Sequence, residues 1–240
     1  MAKRVPEGPA PDPAVQKLRV QYAKRGRMRF SSTRDFQRAL ERALRRAQVP
    51  MAFSAGFHPH PKISYANAAP TGTASEAEYF EIQLRERRDP EQVARALDEA
   101  LPDGLDVITA VEATPGALAD RLEASDWQLD FAEVTAADLS AAVERLLARD
   151  TVEVTRMMKR GPRTFDMRAA LLASDVAEHS GGARWTLTLR HTTPTVRPDD
   201  VLSGLRDVSA IDVGRSPLIT RLRQGVLGED GAVSDPLETA

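Results

Sequence analysis

Two hydrophobic periods follow one another early in this chain, and their order constrains its fold more than any other feature. In "KLRVQYAK", Leu18, Val20 and Tyr22 alternate with Arg19 and Gln21, which puts the apolar side chains on one face of a strand. In "SSTRDFQRALERALRRAQVP" the period lengthens to that of a helix. Phe36, Leu40, Ala43, Leu44 and Ala47 share one side, and Arg34, Arg38, Arg42 and Arg45 share the other. Ser32 with Asp35 three residues on predicts a capping box, and Pro50 closes the element. Strand alternation returns in "KISYANA" and "AEYFEIQLRE", where Phe80, Ile82 and Leu84 oppose Tyr79, Glu81 and Gln83. Asp89 and Pro90 open a second helix, and "LDVITAVEA" is a further strand. The order β-α-β-β-α-β is that of a ferredoxin-like unit.

A second pattern starts at "DWQLDFAEV", with Trp127, Leu129 and Phe131 alternating. It continues with a helix in "TAADLSAAVERLLARD" and strands in "TVEVTRMM", "TFDMRAALLAS" and "ARWTLTLRHT". A short helix at "PDDVLSGL" and a strand or helix in "PLITRLRQ" complete it. The expected fold class is α+β, with two ferredoxin-like units related as a pseudo-duplicate: a basic one over residues 15–113 and a second over 126–226. Residues 1–14, rich in Pro, Ala and charge, and the acidic, non-periodic residues 227–240 read as disordered tails.

With 42% hydrophobic and 28% charged residues the composition is that of a globular protein, and no apolar run approaches the roughly 20 residues that span a bilayer. The opening "MAKRVPEGPAPDP" holds four prolines and no apolar stretch, so it lacks the core of a secretory signal, and a cytoplasmic location is expected by default. The absence of cysteine excludes disulfides, thiolate zinc sites, a cysteine nucleophile and a cysteine-ligated iron–sulfur cluster. Neither GxGxxG nor a Walker sequence is present, which argues against nucleotide hydrolysis and dinucleotide redox chemistry, and no cofactor is expected.

The formal net charge of −2 conceals an asymmetry: between Lys17 and Ser64, twelve basic residues face only Asp35 and Glu41, a local excess of ten. An exposed helix ordinarily mixes Glu with Arg for i,i+4 pairing, and this one offers only Glu41. A basic lobe on an acidic protein points to an anionic partner. The candidate contacts are Arg27, Arg29, Arg34, Arg38, Arg42 and Arg45, together with His58, His60 and Lys62 of "GFHPHPKISY". Pro59 and Pro61 stiffen that loop. Two histidines are too few for a metal, because His179 and His191 lie far along the chain, so no metal is expected. Glu76 and Glu78 could serve His60 as acid–base partners, with His60 and Glu78 the weak catalytic candidates. The RNA-recognition signature of a β-α-β-β-α-β domain is absent and aromatics are 5% of residues, so a bound RNA would be held by phosphate and shape more than by stacking.

Met28-Arg29-Phe30, the Ala39-Leu40-Glu41-Arg42-Ala43 helix core, Gly56-Phe57, Pro59-His60-Pro61-Lys62 and the run from Ser75-Glu76 to Glu78-Tyr79 together resemble the bacterial radical-SAM-linked family. This is a domain of unknown function found alone or fused behind a radical S-adenosylmethionine domain. The resemblance is strong from about Lys17 to Leu84 and looser to about residue 225. Where the family commonly carries Ser-His-x-Asp, this chain has Ser32-Thr33-Arg34-Asp35. A role borne by that histidine does not carry over, whereas the capping pair Ser32 and Asp35 persists. The resemblance implies association with a radical SAM enzyme in RNA or ribosome-related modification. Lacking cysteine, this chain would be the accessory or substrate-binding part.

The leading expectation is therefore a non-catalytic module that holds structured RNA for a radical SAM partner. The alternatives are a protein-interaction subunit docking an acidic partner, and an enzyme using His60 with Glu76 or Glu78.

Overall fold

The computed structural model describes residues 12–238. Most of the N-terminal tail assigned to residues 1–14 thus lies outside the described residues. The chain divides into two compact units, one running to Asp120 and including the last residues from Leu237, the other Arg121–Pro236. Each is mixed α+β with antiparallel strand pairing.

In the first unit β1 (Gln16–Lys24) leads through a 3-10 turn at Gly26–Phe30 into α1 (Thr33–Arg46), followed by β2 (Ile63–Ala66), β3 (Ala74–Leu84), α2 (Pro90–Ala100) and β4 (Leu105–Glu112). The strands lie in the order β4-β1-β3-β2, every neighbour antiparallel. Alternation decides the faces. Leu18, Val20 and Tyr22 of β1 join Phe80, Ile82 and Leu84 of β3 in a core that the apolar sides of α1 and α2 complete. Burying each such side chain contributes about 1.5–3 kcal/mol. Tyr22 stacks on Phe36 at 4.2 Å between ring centroids, which fixes α1 against β1.

The ends of α1 are both specified locally. Ser32 Oγ accepts from the Asp35 amide at 3.2 Å, and Asp35 Oδ2 accepts from the Ser32 amide at 3.2 Å, forming the predicted capping box. The Ser32 hydroxyl donates to Asp35, and with the amide this holds the Asp35 carboxyl below the usual range. At the other end the Val49 amide donates to Leu44 O at 3.0 Å and the Gln48 amide to Arg45 O at 3.2 Å, a Schellman closure. Its left-handed position is occupied by Gln48 at φ 51°, not by glycine.

The second unit contains β5 (Ala124–Phe131), α3 (Ala136–Leu147), β6 (Glu153–Met158), β7 (Gly161–Asp166), β8 (Leu171–His179), β9 (Gly182–Arg190), α4 (Pro198–Ser209), β10 (Leu218–Leu227) and β11 (Val233–Ser234). Its main strands lie in the order β10-β5-β9-β8, antiparallel throughout, with β6 and β7 forming a separate two-stranded ribbon. Trp127, Leu129 and Phe131 of β5, with the fully buried Trp185 of β9, carry its core against α3 and α4. With the ribbon set aside, strand order and element order repeat those of the first unit.

Two expectations change here. The single strand expected over "TFDMRAALLAS" is two, β7 and β8, parted by a 3-10 turn at Arg168–Ala170. Asp166 Oδ1 accepts from the amides of Val152 and Arg168, both at 2.9 Å, and so turns the chain and buries Met167. Residues 227–238, expected as a free acidic tail, instead place β11 on β10, and Val233 and Leu237 are buried. "PLITRLRQ" is a strand, β10.

Candidate anion-binding surface

The twelve cations of the basic segment divide according to the element that carries them. Those of β1 and its end are engaged by acids or backbone carbonyls from elsewhere in the first unit. Arg19, 1% exposed, stands directly across from Glu81 on β3, donates to it at 3.1 Å and also reaches Thr114 and the Gly116 carbonyl. Lys17 pairs with the same carboxylate at 2.6 Å. Arg25 pairs with Glu76 and with Asp106, the latter at 2.8 Å. Lys24 is buried, its ammonium 3.3 Å from the carbonyls of Ala69 and Pro70. The local excess counted along the sequence is thus partly cancelled by β3 and β4.

Burial alone would raise the Glu81 carboxyl, but hydrogen bonds from Lys17, Arg19 and Ser64 outweigh it and hold the group below its usual range. A carboxyl depressed in the folded state contributes stability above its unfolded pKa of about 4.3, and that contribution is lost as the pH falls through the folded value. Thermal unfolding of the wild type should therefore lose stability as pH drops below about 4.3, more steeply than Glu81→Gln does. Parallel slopes for the two proteins would show that Glu81 carries no such linkage.

The α1 arginines are different. Arg34, Arg38, Arg42 and Arg45 are all exposed, and among the described residues none forms a salt bridge or a side-chain hydrogen bond, although Arg38 lies near enough to Asp35 to help hold its carboxyl down. Steps of four, four and three residues put them within an arc of about 80°, over a length of about 16 Å. Arg27 and Arg29 precede the helix, Arg27 unpartnered and Arg29 seated 4.4 Å over the Phe30 ring. Arg46, the remaining helical cation, turns back to the Ala100 carbonyl.

The histidine loop is a hairpin. Phe53 bridges Pro61, Ser54 N donates to His60 O at 2.9 Å, and Ser54 Oγ accepts from the His60 amide at 3.0 Å. Its base is tied to β3 through Ala52 N to Gln83 O at 2.8 Å and Gln83 N to Lys62 O at 3.1 Å. Gly56 turns the tip at φ +133°, a backbone region that disfavours other residues. His58 and His60 project into solvent there and Lys62 is half-buried.

The paired carboxylates do not join these histidines. Glu76 is held by Arg25, and Glu78, 1% exposed, accepts from the Ala69 amide at 3.0 Å. Register places Ile63 opposite Ile82 and Ala66 opposite Tyr79, so Glu78 lies at the far end of the pairing from the hairpin, roughly seven residues or about 23 Å from the level of His60. Direct acid–base cooperation of His60 with Glu78 is corrected on this ground. Among the described residues no group of three or more His, Asp or Glu side chains could hold a metal ion.

Sequence reasoning missed the exposed aromatics. Phe30, Phe53 and Phe57 are 59%, 42% and 61% exposed, all in the unit that carries the arginines. They sit in loops without periodicity, where the only signal was their position beside basic residues. Phe53 and Pro61, with Leu44, Arg45 and Met51, border a cleft of about 600 Å³ between the C-terminal half of α1 and the hairpin base. Arg45 is thereby brought beside the hairpin, whereas Arg27, Arg29 and Arg34 belong to the other end of the helix.

Fold and surface together define a mixed α+β protein with an unpaired arginine stripe and a cleft at its end. The chain belongs to a family described as uncharacterized protein conserved in bacteria (DUF2344), whose model matches residues 17–198. No curated protein matches it. Among the described residues no helix is long and apolar enough to cross a membrane.

Proposed function

We propose that this protein is a non-catalytic accessory module that holds structured RNA on the α1 arginine stripe and presents it to a separate radical SAM enzyme in the cytoplasm. The observation that carries the reading is the stripe itself. Four exposed guanidinium groups form no salt bridge among the described residues, with only Arg38 near a carboxylate, that of Asp35, while the other cations of the segment are largely engaged. A row of cations about 16 Å long suits the regular charge spacing of a nucleic-acid backbone, and arginine's fork suits phosphate oxygens. His58, His60 and Lys62 stand on a hairpin that would flank the same backbone. The repeated strand order supports reading the two units as a ferredoxin-like pseudo-duplicate. The radical SAM partner rests on family resemblance, and the absence of cysteine assigns the cluster to that partner.

Binding to bulk tRNA or ribosomal RNA fragments should weaken with salt, with log K falling against log salt at a slope of about −3 to −4 for four phosphate contacts. Absence of binding at low salt would refute the reading. An RNA-free stoichiometric complex with a protein would replace it by the docking alternative.

A further inference from the structure

The cleft at the end of the stripe combines an apolar floor with polar side chains that have no work inside the protein. Leu44, Met51 and Pro61 form apolar wall, and Phe53 leaves 42% of its surface in water beside Arg45. Glu41, Arg45 and Gln48 line the same space, and none has a side-chain hydrogen bond or ion pair among the described residues. Arg85 and Arg88 also border it but share the Glu86 carboxylate at 3.9 and 2.9 Å. At about 600 Å³ the cleft falls within the range of roughly 300–1,000 Å³ typical of small-ligand sites.

Two features indicate that this wall is kept for a ligand. Phe53 is braced on both sides by backbone bonds, Ala52 N to Gln83 O at 2.8 Å before it and Ser54 N to His60 O at 2.9 Å after it, so its ring is presented from a fixed edge. Gln48 occupies the left-handed position of the helix closure, where glycine is usual and a side chain is strained. Gln48 thus holds a strained backbone conformation while its side chain lines the cleft.

We propose, resting on the RNA reading above, that this cleft receives one unpaired, amino-bearing base of the bound RNA. The stripe ends at Arg45, so a backbone followed along α1 arrives at the cleft mouth, and Arg45 meets the phosphate there. The base stacks on Phe53. Glu41, an acceptor only, takes a hydrogen bond from an exocyclic amino group, which favours cytosine, adenine or guanine over uracil. Glu41 and Glu86 nearly balance Arg45, Arg85 and Arg88 around the cleft, so it is suited to a neutral ring with one phosphate at Arg45.

The test uses the full chain and two RNA hairpins identical except for one bulged cytidine. The bulged RNA should bind about tenfold tighter, the effect of one base–aromatic stack, and a bulged uridine should recover only part of that gain. Phe53→Ala should abolish the preference and leave the fully paired RNA and its salt slope unchanged. Gln48→Gly should reduce the preference without lowering the thermal midpoint, because glycine relieves the left-handed strain. Equal affinity for the two hairpins in the wild type overturns the cleft and leaves the arginine stripe standing. So does an equal loss for both hairpins in Phe53→Ala. No binding of either hairpin overturns both readings.

Discussion

Reversing Arg38 and Arg42 together to Glu is expected to lower affinity for structured RNA by two orders of magnitude or more near 0.15 M salt and to flatten the salt slope by about 2. Both positions are exposed and form no salt bridge or side-chain hydrogen bond among the described residues, so the substitutions remove only the attraction of Arg38 for Asp35. Glutamate is as good a helix former as arginine, and attraction of the introduced carboxylates to Arg34, Arg45 and Arg46 is offset by repulsion from Asp35 and Glu41 and between the two new carboxylates four residues apart. The helix should thus change in stability by less than about 1 kcal/mol, and circular dichroism with thermal melting checks that. Fluorescence anisotropy with labelled tRNA reads the affinity. Arg38→Lys with Arg42→Lys, which keeps the charge, should retain most of the slope. Wild-type affinity and slope in the reversed protein would remove the stripe from the function.

Arg19→Met is expected to destabilise the first unit by about 3–5 kcal/mol, the usual cost of breaking a buried ion pair from one side. The guanidinium makes four hydrogen bonds, to Glu81, to the Thr114 hydroxyl and carbonyl, and to the Gly116 carbonyl, at 2.8 to 3.1 Å. Methionine fills much of the volume but leaves the buried Glu81 carboxylate without its guanidinium partner, whereas the Thr114 and Gly116 oxygens lie nearer the surface. Glu81 keeps Lys17 and Ser64, which softens the loss on the carboxylate side. Adding Glu81→Gln to Arg19→Met should therefore cost less than the sum of the two single changes, since the Arg19–Glu81 charge pairing is lost in all three proteins. Chemical denaturation measures these differences. A loss below about 1 kcal/mol for Arg19→Met would mean that the network is replaced by water and holds nothing.

The two predictions separate what was legible beforehand from what was not. Arg34, Arg38, Arg42 and Arg45 could be placed on one helix face from their spacing, and the single glutamate in the helix showed only that the helix itself offers few partners. Arg19 looked no different along the chain, one more cation in the same basic run. Only pairing with β3 revealed that its acid is Glu81, sixty-two residues away. The same blindness applies to Arg25, which takes its acids from Glu76 and Asp106, and to Glu78, whose place at the far end of β3 from the hairpin could not be seen before the register was known. Phe53 was silent because a loop aromatic has no period, and its meaning comes from the residues that happen to surround it.

The sequence by itself determined the helix and strand order of the first half, the helices of the second, the capped start of α1, the face that α1 buries and the arginines on its other face. All of these are set by bonds and contacts within a few residues, where periodicity and capping chemistry act. Only the tertiary structure decided which cations remain free, that β7 and β8 are two strands, that β11 pairs with β10, and that the hairpin base meets the end of α1 to form a cleft. Those outcomes depend on side chains distant in the chain arriving at one place, and charge pairing and cavity shape carry no signature in local order.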